Sequence, residues 1–241
     1  MKTFSLVTTA SAALLLAACG GAPSTSDADT PTPATQVDGQ TAEAPALIPE
    51  LENVAAANYS LEKTHAFLTF KVGHAGGISQ YRVNFTDFDA DLAFDPADPE
   101  AAQLSVTINP LAVETNYNGD YKAGHANSGY ETWNEDLARN PGWLNADAFP
   151  EISFASTSIE RTGDKTGTVT GDMTFLGKTA PITFDVTFNG SANAPWFGTR
   201  DLIGFNASTV ITRSEWGMTR GVPNIGDAVS VEFSGEFLQD E

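Results

Sequence analysis

Apolar and polar residues alternate along most of the chain from residue 66 onward, which is the pattern of β-strands with one buried face. Short turns rich in glycine, such as those at 162–167 and 176–181, separate several of these runs. The pattern predicts an all-β fold: an antiparallel barrel of about eight strands, closed so that no strand edge is exposed. The predicted inward-facing sets are Ala66, Leu68, Phe70 and Val72; Val83 and Phe85; Ala90, Leu92 and Phe94; Leu104, Val106 and Ile108; Ile152 and Phe154; Val169, Gly171, Met173 and Phe175; Ile182, Phe184, Val186 and Phe188; Ile203, Phe205, Ala207, Thr209 and Ile211; and Val229, Val231, Phe233, Gly235 and Phe237.

One region, 111–149, breaks this alternation. Ser128 is followed three residues later by Glu131, which is the spacing of a capping box at the start of a helix. Asn140, Pro141 and Gly142 form a stop signal. We therefore predict one long connection with one or two short helices, lying over an end or side of the barrel. Long connections in compact domains are often functional.

The N-terminal residues 1–18 resemble a signal peptide, with Lys2 followed by an apolar run that is shorter than the about 20 residues of a membrane span. The sequence Leu-Ala-Ala-Cys at 16–19 resembles the lipobox of bacterial lipoproteins, in which the cysteine becomes the acylated first residue. We therefore expect Cys19 to carry a lipid anchor; the alternative is an ordinary signal peptide with an incidental cysteine. Because Cys19 is the single cysteine of the chain, an intrachain disulfide is impossible.

Residues 19–57 are predicted to form a disordered, lipid-anchored linker, and residues 58–239 the barrel domain. The linker holds five prolines and little apolar surface, so it cannot offset its own ordering entropy. A coil of this length spans on the order of 35 Å, which is enough to hold a domain away from a membrane.

The charge of the chain excludes some partners. The sequence has 12 basic against 31 acidic residues, and removing 1–18 also removes one lysine. So acidic a surface repels phosphate backbones, which argues against nucleic acid as a partner. It also offers no polybasic attraction to anionic lipids, so membrane attachment would depend on the acyl chains.

Four segments, in order, resemble motifs of the YceI-like family of lipid- or polyisoprenoid-binding proteins. They are YSLEKTHAFLTFKVGH at 59–74, AFPEISFAS at 148–156, VTGDMTFLGKTAPI at 169–182 and ITRSEWGM at 211–218. Two features depart from the family pattern. The segment QYRVNF at 80–85 stands where a glycine-phenylalanine pair is usual, and the connection before Phe149 is longer than usual.

The resemblance implies a lipocalin-like barrel with an elongated apolar cavity and a non-catalytic role: periplasmic binding of a long isoprenoid or similar lipid. It implies no cofactor. It allows a homodimer, and it suggests a cytochrome b561-like membrane redox protein as a partner. Because Gly20 stands where some inner-membrane lipoproteins have aspartate, the resemblance also favours the outer membrane. The alternative is a structural or interaction module, or an accessory to a redox protein, with its barrel packed solid.

Phenylalanine occurs 15 times, repeatedly on the inward side of the predicted strands. A small barrel can fill itself with such side chains or leave room for one ligand. We predict a tunnel lined by Phe70, Phe85, Ile108, Phe154, Phe175, Phe184, Phe205 and Phe233, with Trp216 near one end. The nucleophile elbow Gly-x-Ser-x-Gly of serine hydrolases does not occur in the sequence, and we expect no enzymatic activity.

Three histidines and one arginine are the remaining candidates for chemistry. If one strand ran from His65 to His74, the two imidazoles would be about 30 Å apart on opposite faces, so we expect no metal site. The expected role of both is hydrogen bonding to nearby backbone at the strand ends. Arg213, near Trp216, is expected to form a structural ion pair with a carboxylate; the alternative is a contact to a polar ligand headgroup.

Overall fold

The computed structural model describes residues 51–241, so the predicted signal peptide, Cys19 and most of the predicted linker lie outside the described residues. Within this part of the chain there are eleven β-strands and two short α-helices. The strands are β1 (Ala57–Leu61), β2 (Phe67–His74), β3 (Ser79–Phe85), β4 (Phe88–Phe94), β5 (Gln103–Ile108), β6 (Val113–Glu114), β7 (Ile152–Arg161), β8 (Thr166–Phe175), β9 (Lys178–Ala192), β10 (Leu202–Thr212) and β11 (Ile225–Gln239). The helices are α1 (Tyr121–His125) and α2 (Trp133–Arg139), and no helix among residues 51–241 is long and apolar enough to cross a membrane.

Eight of the strands close into a ring, in the order β1-β4-β5-β7-β8-β9-β10-β11 and back to β1. β1 closes the ring because it pairs with β4 on one side, Tyr59 opposite Leu92, and with β11 on the other, Leu61 opposite Phe237. All of these pairings are antiparallel. The predicted closed antiparallel barrel of about eight strands is confirmed.

The three other strands extend one side of the barrel. β2 pairs with β11 beyond the end of β1, with Phe70 opposite Val231, and β3 and β6 follow β2 in the sheet. A 3₁₀ turn at Lys63–His65 separates β1 from β2, so the strand does not run from His65 as one of our expectations assumed.

The alternation in sequence becomes alternation in burial. In β4, Phe88, Ala90, Leu92 and Phe94 are buried, and the intervening residues are exposed. Burial of such side chains stabilises the fold by about 25 cal/mol per Å² of apolar surface removed from water. Because a shift of one residue would turn these side chains to the exposed face, the register of each strand is fixed.

The barrel has two rims that differ in structure. The N-terminal rim consists of residues 51–56 and the connections 95–102, 162–165 and 193–201. The helical rim consists of the connections 109–151, 176–177 and 213–224. Because neighbouring strands are antiparallel, each rim collects alternate connections.

The packed domain begins earlier than the predicted boundary at residue 58. Leu51 and Val54 are only 5% and 7% exposed, and they belong to the same core cluster as Phe94 and Phe237. The assignment of 51–57 to the linker was therefore wrong. Leu51 and Val54 flank a turn, which is closed by a hydrogen bond from the Val54 N–H to the Leu51 carbonyl at 3.1 Å. The segment therefore lacks the period-two alternation on which the boundary was drawn.

The long connection carries two short helices, as predicted, but α2 has a different cap from the one expected. Thr132 is the N-cap, and its Oγ1 accepts a hydrogen bond from the Glu135 N–H at 3.1 Å. Ser128 instead bonds the backbone of Tyr130, so the Ser128–Glu131 capping box was wrong. Thr132 and Glu135 have the same capping spacing four residues further on, directly before the helix. The helix ends at Arg139, at the predicted stop.

Candidate functional site

The interior of the barrel holds two adjoining apolar cavities. The first, at the helical rim, has a volume of about 190 Å³, and its wall is almost entirely carbon. The second, at the N-terminal rim, has a volume of about 160 Å³. Both cavities are lined by Leu104, Val169, Val186, Ala207, Phe233 and Phe237, so they meet end to end inside the barrel.

Seven of the predicted lining residues face the first cavity: Phe70, Phe85, Ile108, Phe154, Phe175, Phe184 and Phe233. Their rings pack against one another. The ring centroids of Phe70 and Phe85 are 5.3 Å apart, and those of Phe154 and Phe184 are 5.5 Å apart in an edge-to-face pair. Aromatic pairs of this kind stabilise the wall while leaving the lumen free of polar groups. Binding of a ligand by these residues stays a prediction.

Phe205 lies elsewhere than expected. It faces the second cavity, where its ring lies 5.5 Å from that of Phe188 and 6.5 Å from that of Phe94. The second cavity differs from the first because one side is polar: Arg161, Asp164, Lys165 and Thr166, from the β7–β8 turn, line it. Leu51 also lines it, so the first described residues cover part of its mouth.

The sequence reasoning missed this polar mouth. The residues that form it belong to a turn and to a segment before the first strand, and neither has an alternating pattern. The Gly163–Gly167 spacing indicated a turn, but nothing in the sequence indicated that the turn closes a cavity.

A hydrogen-bond network fixes the segment that covers the mouth. The hydroxyl of Tyr59 donates to the carbonyl of Ala55 at 2.7 Å, and the Ala55 N–H donates to Asp201 Oδ2 at 2.7 Å. Burial, with a smaller contribution from Asp201, raises the pKa of Tyr59 to about 12. The phenol therefore stays protonated and remains a donor at physiological pH.

Arg213 is held in a way that neither expectation anticipated. It is only 2% exposed, and four of its five N–H groups donate to the backbone carbonyls of Met218, Arg220, Ile225 and Gly226 at 2.7–3.0 Å. Among residues 51–241 no carboxylate lies within ion-pair distance of its guanidinium. Arg213 thus ties the 213–224 connection to the start of β11, and the expected ion pair was wrong.

The charges near Arg213 agree with this geometry. Burial lowers the pKa of Arg213, and the nearby Asp227 partly offsets that effect. Hydrogen bonds from the Ser214 hydroxyl and N–H lower the pKa of Asp227, which keeps it ionised. Although Arg213 borders the first cavity, its donors are directed at the loop, so the alternative of a headgroup contact has little support from the geometry.

Trp216 lies behind the cavity wall rather than in it. It is buried, and its ring centroid is 6.4 Å from that of Phe175, which does face the cavity. Its indole Nε1 is buried without a hydrogen-bond partner in the described part of the chain. We conclude that Trp216 shapes the wall by supporting Phe175.

The three histidines lie in separate places. His74 packs against Tyr81, and His125 stacks on Tyr121 at 4.6 Å. His65 Nδ1 lies 2.5 Å from Glu62 Oε2 and 3.8 Å from Glu236 Oε2, a group that could in principle hold a cation. Charge-assisted hydrogen bonding accounts for this arrangement on its own. The sequence did not predict that His65 and Glu236 lie close together, because the pairing of β1 with β11 brings them together from distant parts of the chain.

The family model described as the YceI-like domain matches residues 59–237. A UPF0312 protein of Pseudomonas putida (strain F1) is 37% identical over 165 residues, covering 68% of this chain and 77% of the relative.

Solved structures show the same barrel. The Campylobacter jejuni YCEI protein superposes with a TM-score of 0.58 at 25% identity, covering 68% of this chain and 88% of that one. A polyisoprenoid binding domain from Saccharophagus degradans, implicated in plant cell wall breakdown, gives a TM-score of 0.52 at 14% identity, covering 76% of this chain and 98% of that one. At this identity the second likeness concerns the fold.

Proposed function

We propose, from the premise that this chain belongs to the YceI-like domain family, that its barrel binds a long-chain isoprenoid or similar amphiphilic lipid and catalyses no reaction. The observation that carries this proposal is the pair of adjoining apolar cavities along the inside of the barrel. A barrel packed solid, which was the alternative, would not leave this space. The structural likeness to a polyisoprenoid binding domain supports the same class of ligand.

The size of the cavities favours a thin ligand. Each cavity, at about 190 and 160 Å³, is smaller than the roughly 300 Å³ at the lower end of ordinary ligand pockets. A compact molecule of the size that ordinary pockets hold would not fit into either cavity alone. A flexible hydrocarbon chain that passes from one cavity to the next fills both, and it gains about 25 cal/mol per Å² of apolar surface buried, before ordering costs.

The polarity of the walls gives the ligand a direction. The wall of the first cavity is carbon, and the donors of its neighbour Arg213 are used by the loop. The second cavity has charged side chains at its mouth, including Arg161 and Lys165. The apolar tail therefore lies toward the helical rim, and the polar end lies at the N-terminal rim.

We also propose that the protein is an outer-membrane lipoprotein on the periplasmic side, acylated at Cys19. The apolar run before Cys19 and the lipobox-like 16–19 support this. Mass spectrometry of the natively purified chain measures it: an acylated Cys19 at the N-terminus is the expected result, and an unmodified N-terminus elsewhere would contradict it. A homodimer and a cytochrome b561-like partner stay predictions of the family resemblance.

Extraction tests the proposed function. Purified protein is extracted with organic solvent, and the extract is analysed by mass spectrometry for long-chain lipid. We expect close to one molecule of an isoprenoid or similar chain per barrel. Native mass spectrometry of the unextracted protein is the control, because a lipid bound inside the barrel adds a discrete mass. A barrel free of lipid in both measurements, and unable to take up lipid from vesicles, would refute the function.

A further inference from the structure

We propose that the N-terminal rim is a docking surface for a zwitterionic lipid bilayer, held there by the Trp196 loop. Docking depends on the side chains of the rim and does not require that the barrel binds lipid. The further step, in which lipid passes between the bilayer and the second cavity, rests on the proposed function.

The Trp196 loop, 193–201, holds an indole out into solvent. Trp196 is 75% exposed, on a 3₁₀ turn formed by Pro195–Phe197. The turn is closed by a hydrogen bond from the Phe197 N–H to the Ala194 carbonyl at 2.9 Å, and Ala194 is buried. The hydrogen bond fixes the loop that presents the indole, and tryptophan is enriched at membrane–water interfaces because its ring has an apolar body and a polar N–H.

The same loop is bonded to the start of the described chain. Asp201 Oδ2 accepts from the Ala55 N–H, and Asp201 Oδ1 accepts from Asn193 Nδ2 at 2.7 Å. The described part of the chain therefore begins at the same rim as the Trp196 loop. If Cys19 is acylated, its anchor tethers the barrel by this rim and not by the helical one.

The polar mouth of the second cavity is at the same rim. Leu51 lines that cavity, and so does the 162–165 turn. A bilayer in contact with the Trp196 loop would thus lie against the mouth. A lipid could then pass between the bilayer and the barrel with little exposure of its hydrocarbon chain to water, which is unfavourable.

The charge of the rim selects the kind of bilayer. The segments that form the rim hold six carboxylates and two bases, and a third base, Arg161, ends the adjoining strand β7. The carboxylates are Glu52, Asp95, Asp98, Glu100, Asp164 and Asp201, and the two bases are Lys165 and Arg200. An acidic rim is repelled by anionic lipid and tolerated by a zwitterionic surface. We therefore infer that the rim docks on zwitterionic headgroups and that the Trp196 indole provides the attraction.

Fluorescence quenching tests the docking. The full chain is incubated with vesicles of phosphatidylcholine brominated in its acyl chains, and tryptophan emission is recorded. The other three tryptophans, Trp133, Trp143 and Trp216, lie in or next to the helical rim and are half-buried or buried. We expect loss of the Trp196 emission with a blue shift, and less of both when phosphatidylglycerol is added.

A matched variant moves the exposed tryptophan to the other end of the barrel. In Trp196→Ser combined with Ile78→Trp, the new side chain stands at the tip of the β2–β3 hairpin beside the helical rim, where Ile78 is 88% exposed. We expect this variant to lose the quenching. If both proteins are quenched equally, tryptophan enters the bilayer regardless of position, and the proposal is wrong. It is equally wrong if neither is quenched.

The outcomes separate docking from lipid binding. If brominated lipid quenches the tryptophan emission of the wild type but the extract of the protein contains no lipid, the docking surface is supported and the proposed function is wrong. If the extract contains one lipid per protein but the emission is not quenched, the proposed function is supported and the docking surface is wrong.

Discussion

At the scale of single residues, the most informative side chain is Arg213. Its position next to an apolar cavity invites a role in ligand binding, and its residue type suits an anionic headgroup. The hydrogen bonds argue against that role, because four N–H groups donate to backbone carbonyls of the 213–224 connection and of the start of β11. The motif at 211–218 singled out Arg213 as a candidate functional residue. The sequence could not predict which groups would accept hydrogen bonds from its guanidinium.

Replacing Arg213 with methionine separates the two roles. Arg213→Met keeps the volume near the wall but leaves four loop carbonyls without a donor, so we expect a loss of about 3 kcal/mol in the free energy of unfolding. The folded fraction should still carry lipid at the wild-type ratio. Denaturant unfolding and lipid extraction measure the two quantities. Normal stability with loss of lipid would show that Arg213 contacts the ligand.

At the scale of elements, the strands were predictable and the irregular segments were not. The alternation of β4 and β8 in the sequence is also their alternation in burial, since one face of each strand must be removed from water. Segment 51–56 and the cap of α2 depend on single anchoring contacts, which have no period. The polar mouth of the second cavity escaped prediction for the same reason.

The corrected helix cap can be measured with a matched pair of variants. Thr132→Ala removes the side-chain acceptor for the Glu135 N–H, and it should cost about 1 kcal/mol of stability. Ser128→Ala removes a hydroxyl that bonds the backbone of Tyr130 in the loop and caps no helix, so its effect should be smaller, within about 0.5 kcal/mol. Urea unfolding of both decides the matter, and a larger loss for Ser128→Ala would reverse the assignment.

At the scale of the whole molecule, the barrel has a direction. One rim is covered by helices and closes over a cavity with a carbon wall, and the other carries charged turns, the Trp196 loop and the start of the described chain. The sequence predicted the barrel and most residues of the first cavity's wall. It did not predict the division into two cavities or the difference between the rims, because both arise from pairings between strands far apart in sequence.

The junction between the cavities offers the most direct test of the central claim that lipid occupies the barrel. Ala207 lines both cavities and lies between Phe233 and Val186 on the neighbouring strands. Ala207→Phe would fill the junction with apolar atoms at a cost of roughly 1–3 kcal/mol of stability. Ser208→Phe, one residue along the same strand and exposed, is the matched control.

The measurement is the molar ratio of extracted long-chain lipid to folded protein for the wild type and both variants, with thermal unfolding to confirm the fold. We predict a ratio near one for the wild type and for Ser208→Phe, and a ratio near zero for folded Ala207→Phe. A folded Ala207→Phe barrel that keeps its full complement of lipid would contradict the account, because the lipid would then lie outside the two cavities.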